Sequence, residues 1–308
     1  MKDTIFITGI TGFLGSQIGK YLCVEGYKVI ATKRTESSLK NCTEYIQNIK
    51  WVNIDEVNWE LEIINLKPQI IIHAAWIGVE SSYRNDWILQ SKNLIFIQKI
   101  FEIAQLSNTK KMIGLGSQAE YGFTNAVVKE IQELFPDSAY GSVKIITSNL
   151  LELFCTKNKI EWYWLRVFSV FGEKESPKWL LPSFIKNICD ESKNYMDFSL
   201  GEQKYAYLFV DDFANAILKV VAHSKGGSGI YNLCSTNLIS IKDIITMIKN
   251  KIRPSFDLNF GALPYREGQS MLIAGDITKF KTEFGEYEFT SLEIGINKII
   301  DSHKLYFR

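Results

Sequence analysis

Short runs of aliphatic and β-branched residues alternate with longer stretches of amphipathic spacing through the first half of the chain: Thr4–Thr8 (TIFIT), then residues 13–25, then 28–32 (KVIAT). This alternation predicts strand, helix and strand in βαβ order, as in a parallel sheet. Further strands are predicted at 50–54, 69–74 (QIIIHA) and 111–115, with helices near 86–105 and 139–156. The strand runs are almost continuously apolar, so both faces of the sheet must be covered. After 160–168 (IEWYWLRVF) the segments become shorter and more aromatic, as at 195–200 and 205–210, among helices near 211–222 and 241–251. The pattern therefore predicts a doubly wound parallel α/β sheet in residues 1–168 and a smaller C-terminal α/β lobe in 169–308, with some of the latter's segments returning to the first domain. No repeat or low-complexity tract separates the two.

Composition narrows the function. At 308 residues, 46% hydrophobic and 22% charged, the chain can build a large core. Its 35 Lys and Arg against 34 Asp and Glu leave a net charge of +1, so neither nucleic acid nor an anionic membrane is expected as a partner. The five cysteines, Cys23, Cys42, Cys155, Cys189 and Cys234, are odd in number and contain no C-x-x-C pair. They read as cytosolic thiols rather than a disulfide framework or zinc cage, and a cytoplasmic location is expected. His73, His223 and His303 lack the close spacing of a helical metal site, and no metal is expected. No run approaches the ~20 apolar residues of a membrane span, and no signal peptide is visible.

Between the first strand and first helix lies TGITGFLG, with Gly9, Gly12 and Gly15 around Thr11, Phe13 and Leu14. Glycines here permit a tight turn, close approach to a pyrophosphate and close helix–strand packing, while the helix N-terminus offers free N–H groups. An ordinary glycine-rich turn is the alternative. The second strand ends in VIATKRTESS, where Lys33 and Arg34 precede any acid. A carboxylate there suits the ribose of NAD, whereas a cation suits a 2′-phosphate, so NADPH is the expected cofactor. Asp55, after the third strand, is placed either to accept from the adenine amino group or to cap a helix.

Tyr140 and Lys144 (YGSVK) share one face of a predicted helix. A nearby ammonium favours the phenolate, which is expected to move the tyrosine toward neutral pKa and make it a proton shuttle. Ser117, in LGSQAEYG, stands at a predicted strand C-terminus, the ligand-binding edge of open α/β sheets, where it either donates to a substrate oxygen or caps a turn.

Together these residues resemble the extended short-chain dehydrogenase/reductase superfamily, within it the nucleotide-sugar epimerases and dehydratases. The resemblance spans almost the whole chain, through TGITGFLG, HAA (His73, Ala74, Ala75), Ser117 with Tyr121 and Gly122, YGSVK, LRVFSVFG, YLFVDDFANAI, IYNL and YREGQSMLIAGDITK. It implies a Rossmann domain for a nicotinamide dinucleotide, lined in part by Ala74 and Ala75, and a C-terminal lobe for a nucleoside-diphosphate sugar. It implies Ser117, Tyr140 and Lys144 as catalytic residues, Asn93 as a structural asparagine and Arg266 as the guanidinium that grips the sugar-nucleotide pyrophosphate. A surface ion pair is the alternative for Arg266. Trp76, after the fourth strand, and Trp179, in the segment that approaches the sugar nucleotide in relatives, are candidates to stack on a base or sugar. Asp211 and Asp212 begin a helix and are expected to cap it.

The residues after Ser117 bear on the reaction. Relatives that remove water carry Asp and Glu in the next two positions, and fucose-synthase-like epimerase-reductases carry Cys two residues on. Here Gln118 and Ala119 stand there, and Glu120 has no assigned role. A ketoreductase and a 4-epimerase remain. Lys33 and Arg34 favour the reductase, because an epimerase retains NAD whereas a reductase must recharge with NADPH. The wording GLGSQAEYG and LPYREGQSM also resembles bacterial reductases that make 6-deoxyhexoses from 4-keto precursors. The implied substrate is a nucleoside-diphosphate 4-keto-6-deoxyhexose, with Gln118 near it. The alternatives are a 4-epimerase with tightly bound NAD and a non-catalytic dinucleotide-binding regulator. Dimerisation through the two long helices is the family's habit.

Overall fold

The computed structural model describes residues 2–306. In chain order its elements are β1 (Thr4–Thr8), α1 (Phe13–Val24), β2 (Lys28–Lys33), β3 (Ile49–Asn53), α2 (Trp59–Leu66), β4 (Ile70–His73), α3 (Trp87–Leu106), β5 (Lys111–Ser117), β6 (Val127–Val128), α4 (Ala139–Asn158), β7 (Glu161–Val167), β8 (Val170–Phe171), α5 (Leu180–Cys189), β9 (Tyr195–Phe198), β10 (Lys204–Ala206), β11 (Leu208–Phe209), α6 (Val210–Ala222), β12 (Gly229–Leu233), β13 (Leu238–Ser240), α7 (Ile241–Ile252), β14 (Asp257–Phe260), β15 (Leu272–Gly275), α8 (Thr278–Phe284) and α9 (Leu292–Tyr306).

Seven strands make one parallel sheet in the order β12-β7-β5-β4-β1-β2-β3. The chain winds outward from β1 to β3, then crosses back to set β4 on the other side of β1 and winds outward again. A crevice opens beyond the strand C-termini at such a reversal. Side-chain alternation explains why the strand sequences are apolar throughout. Ile5 and Ile7 enter the core on one face, while Phe6 enters the core on the other. Ile70 and Ile72 are likewise separated from Ile71. Helices α1 and α6 cover the first face with Ile18, Leu22, Phe213 and Ile217. Helices α3 and α4 cover the second with Ile97, Ile100, Ile103 and Leu151. A third core, from Phe184 and Ile185 on α5, Ile244 and Ile248 on α7, and Ile296 and Ile299 on α9, lies in the C-terminal part.

The segment 205–210 is not one strand. β10 pairs with β13 and β15, whereas β11 pairs with β8, and α6 begins at Val210. The pattern also did not announce α2, α5, α8 or α9. α2 is eight residues long, between the left-handed residues Asn58 and Lys67, and too short for helical periodicity to register. Among the described residues no disulfide joins any of the cysteines, no cluster fit to hold a metal occurs, and no helix is long and apolar enough to cross a membrane.

Candidate active site

The turn after β1 is built by backbone proximity. Gly9 has φ +74°, and a Cβ there would meet the Ala75 nitrogen at 2.6 Å. A Cβ on Gly15 would meet the Gly9 carbonyl oxygen at 2.1 Å, whereas one on Gly12 would meet only that oxygen, at 3.4 Å. The Gly12 side is thus open. Gly12 is also the N-cap of α1, with no side-chain cap and no acid in the first turn. An uncapped helix start beside an open glycine fits an anionic phosphate. Thr11 fixes the outer rim by accepting from Asn41 Nδ2 through its carbonyl (3.1 Å), and Phe13 and Leu14 pack against the C-terminal core. Ala74 and Ala75 form the opposite wall; the Ala75 amide donates to the Thr8 hydroxyl, which also shares a hydrogen bond with His73 Nδ1 (3.1 and 3.0 Å). Burial, with the Lys144 cation adding to it, drives the His73 pKa down to about 3.

At the end of β2, Lys33 is half-buried and Arg34 exposed. Asp55 approaches them from β3: its Oδ2 accepts from the Thr35 amide at 2.8 Å. It caps no helix, since Asn58 precedes α2. The strand end that lacks an acid in sequence therefore has one in space.

Ser117, the last residue of β5, starts a 3-10 turn, Gln118–Glu120. Its Oγ accepts from the Ala119 amide (3.2 Å) and its amide donates to Glu120 Oε1 (2.8 Å), so Ser117 does cap a turn. The same hydroxyl faces the Tyr140 phenol, so the two roles coexist. Glu120, fully buried, also accepts from Trp164 Nε1 (2.9 Å) and Arg166 Nε (2.8 Å). Arg166 Nη1 reaches the Tyr121 hydroxyl, which donates to Asn232 Oδ1 (3.0 and 2.6 Å). This strut clamps the serine turn to β7 and β12.

Tyr140 and Lys144 lie on the buried face of α4. Lys144 Nζ donates to the Leu115 carbonyl (2.6 Å) and sits 3.6 Å from the centre of the Trp76 ring. Trp76 in turn packs edge-on against Tyr140, with centroids 6.0 Å apart. Gln90 accepts from Trp76 Nε1 (2.9 Å), and Asn93 accepts from the Ile77 amide (2.9 Å) and donates to its carbonyl (3.2 Å), so α3 fixes this loop. Burial lowers the Lys144 pKa to about 7, against the pull of Glu120. Tyr140 moves opposite to the sequence-based expectation. Burial raises it above its ordinary value, and Ser117 and Arg84 offset this only in part.

Arg84 carries no sequence signal, yet its guanidinium lies 5.0 Å from the Tyr140 ring and 5.9 Å from that of Trp179. Trp179 belongs to a segment, 172–179, fastened at both ends: Lys174 binds the Asn41 carbonyl and Glu44 (both 3.0 Å), and Lys178 binds Glu80 (2.9 Å). Within it, Glu175 keeps a buried Oε2 without a partner, and burial lifts its pKa to about 8. Gln118 is half-buried beside Ser117. Arg266 is exposed on the loop before β15; burial raises the pKa of the nearby Tyr205, and the Arg266 charge offsets part of that rise; no carboxylate pairs with Arg266 among the described residues. The structure thus gathers Ser117, Tyr140, Lys144 and Trp76 and joins Trp179 to them through Arg84, with no direct contact from Arg266 among the described residues. Asp211 and Asp212 cap nothing. Asp211 accepts from Gln17 (3.2 Å) and Lys298 (2.8 Å), and Asp212 from the Thr290 amide and hydroxyl (2.8 and 2.7 Å), because α6 starts at Val210 and carries both into its first turn.

The profile of the NAD dependent epimerase/dehydratase family matches residues 5–234. CDP-abequose synthase of Salmonella muenchen is 24% identical over 312 residues, covering 97% of this chain and 98% of its own. UDP-glucuronate 4-epimerase of Thermodesulfobacterium geofontis is 24% identical, over 97% and 95% of the two chains. The crystal structure of a Bacillus cereus UDP-glucuronic acid 4-epimerase with UDP-glucuronic acid and NAD superposes with a TM-score of 0.87 at 23% identity, covering 98% of this chain and 99% of that one.

Proposed function

Because the chain belongs to the NAD dependent epimerase/dehydratase family, a family of nucleotide-sugar-modifying enzymes, we propose that it is an NADPH-dependent reductase of the C4 ketone of a nucleoside-diphosphate 4-keto-6-deoxyhexose, serving bacterial surface-polysaccharide synthesis. The observation that carries this reading is the convergence of Ser117, Tyr140 and Lys144 around Trp76 at the C-terminal edge of the sheet. The relative that makes CDP-abequose supports the reductase branch.

When bound, the dinucleotide supplies hydride to the carbonyl carbon. The amides around Gly9, Thr11, Gly12, Phe13, Leu14 and Gly15 hold its pyrophosphate, Ala74 and Ala75 wall the site, and Lys33 and Arg34 hold the 2′-phosphate. Ser117 donates to the substrate oxygen. Tyr140 gives its proton to that oxygen as the C=O π bond opens to an alcohol, and Lys144 stabilises the phenolate left behind. Trp76, Trp179 and Gln118 line the sugar, and Arg266 takes the substrate pyrophosphate. Exposed apolar residues on one stripe of α4 (Ile146, Leu150, Leu153), with Ile88 and Ile95 on α3, support a homodimer through these helices.

A second reading, a 4-epimerase that retains NAD, is favoured by Asp55, whose carboxylate at the end of β2 suits an adenosine ribose better than a 2′-phosphate. The test is the mass of sugar nucleotides after incubation with NADPH, a panel of nucleoside-diphosphate 4-keto-6-deoxyhexoses and their parent hexoses. A gain of two hydrogens on a keto sugar is the expected result. Unchanged mass with altered retention of a parent hexose transfers the assignment to the epimerase, and no change on any sugar rejects both.

A further inference from the structure

We propose that Trp76 is a positioning residue for Lys144: the face of its indole bears the ammonium, and the same ring, packed on Tyr140, holds that charge beside the phenol. The inference deepens the reading of Tyr140 and Lys144 as the proton-transfer pair and rests on it.

One side chain touches both members of the pair. Lys144 Nζ lies 3.6 Å from the centre of the Trp76 ring, and the Trp76 and Tyr140 rings meet at 82° with centroids 6.0 Å apart. The Trp164 ring stands farther from Nζ, at 5.7 Å. Nζ donates to the Leu115 carbonyl at 2.6 Å, and the indole turns the negative face of its π system to the rest of the charge. The indole is itself fastened. Its Nε1 donates to Gln90 Oε1 (2.9 Å), and Gln90 Nε2 donates to the Gly78 and Tyr83 carbonyls (2.8 and 3.1 Å). Gln90 is fully buried on α3, so the ring is braced from a rigid element rather than from its own loop.

The charged and titratable groups around this pair come from four elements. Tyr140 precedes Lys144 by one turn of α4, with Nζ 5.7 Å from its ring, and Arg84 faces that phenol from the loop before α3. His73, at the end of β4, stays neutral down to about pH 3. Glu120, in the turn after β5, favours the ammonium, but its oxygens are spent on Ser117, Trp164 and Arg166. Burial therefore prevails and brings the Lys144 pKa to about 7. A ring face is one of the few surfaces that steadies a cation without adding a charge, and a carboxylate in its place would oppose the phenolate that Lys144 serves. Trp76 thus keeps the ammonium populated and beside Tyr140 before any ligand arrives.

The first test needs no sugar substrate. Protein labelled with ¹³Cε-lysine is titrated by NMR from about pH 5 to about pH 9, below the ordinary lysine range, with the Lys144 resonance assigned by its loss in Lys144→Met. Trp76→Leu, which keeps bulk but has no π face, is expected to lower the Lys144 midpoint by about one pH unit, the tenfold loss of ammonium expected for one desolvated cation–ring contact. Trp76→Phe is expected to recover at least half of that shift. The Lys144 Cε protons should carry the upfield displacement of a neighbouring ring in the wild type and in the Phe variant, and lose it in the Leu variant. A Leu variant with a wild-type or higher midpoint, or a Phe variant that titrates like the Leu one, overturns the proposal. Turnover supplies a second arm. In Trp76→Leu the alkaline limb of the kcat profile should move to lower pH with the NMR midpoint, because an uncharged Lys144 does not support the phenolate; a limb that stays in place while the midpoint moves also overturns it. Absence of wild-type turnover on every sugar nucleotide would reject the functional reading, and the NMR arm would still decide whether the ring holds the ammonium.

Discussion

Glu120→Gln removes one charge and nothing of the side chain's size. Glu120 Oε1 accepts two donors, the Ser117 amide and Trp164 Nε1, and Oε2 accepts a third, Arg166 Nε. An amide has one acceptor end. If it faces Arg166, its NH₂ meets the Ser117 and Trp164 donors; turned round, it meets the guanidinium. Either way Arg166, 2% exposed, loses its counter-ion. Breaking a buried pair by removing one partner costs about 3–5 kcal/mol, and the unmet donors lie within that figure rather than on top of it. At about 1.5 °C per kcal/mol for a chain of this size, the midpoint of a circular-dichroism melt should fall by roughly 5–8 °C. The Ser117 turn loses its clamp as well, so turnover should drop at temperatures where the variant is still folded. Glu120→Leu with Arg166→Met, which leaves no lone charge, should recover much of the stability but not the turnover. A loss below about 1 kcal/mol in Glu120→Gln would refute the reasoning, since that is the range of exposed pairs.

Tyr140→Phe should lower turnover by about 10²–10⁴-fold while calorimetric binding of the dinucleotide is retained; turnover near the wild-type rate would sink the catalytic assignment. Arg34→Ala should weaken NADPH by roughly ten- to a hundredfold and NADH far less, the loss of one charged contact of about 1.5–3 kcal/mol; equal losses would remove the case for NADPH. His73 sets a pH dependence. Below about pH 6.5 the unfolded chain takes up a proton that the folded chain refuses until about 3, so stability falls on acidification through that window at up to about 1.4 kcal/mol per pH unit. In His73→Asn the urea midpoint should fall less steeply between those limits, and an unaltered slope would show that His73 protonates freely. Leu150→Glu with Leu153→Glu should convert a dimer to a monomer in sedimentation velocity; persistence of the dimer would place the interface elsewhere.

Much of the sheet was legible because each of its strands is buried on both faces and punctuated by a turn. The runs TIFIT and KVIAT and the helix between them lie within a residue of β1, α1 and β2. The spacing of Tyr140 and Lys144 announced their shared face. What pattern could not supply is what other elements bring. Trp76 stands between the two only because Gln90 and Asn93 hold its loop. Counting acids along the second strand missed Asp55, which arrives from the third. The lysine beside Tyr140 suggested a lowered phenol pKa, but burial, invisible in spacing, prevails. Asp211 and Asp212 have the composition of a cap, and their partners Lys298 and Thr290 lie some eighty residues away. Arg84 sits in a polar loop with no periodicity to mark it.

The edge of the main sheet beyond β7 is completed by β12, whose residues come long after Ser117, Tyr140 and Lys144. A fragment ending near residue 168 would bare a strand carrying Trp162, Tyr163 and Trp164, with every ladder hydrogen bond on that side open. Such an edge invites sticking to other chains. The half that carries Tyr140 and Lys144 is an unfinished sheet by itself, so the C-terminal part cannot be exchanged as a cassette. A change of sugar preference has to be made by rewriting loops in place, because the element that would carry a new lobe also closes the old sheet.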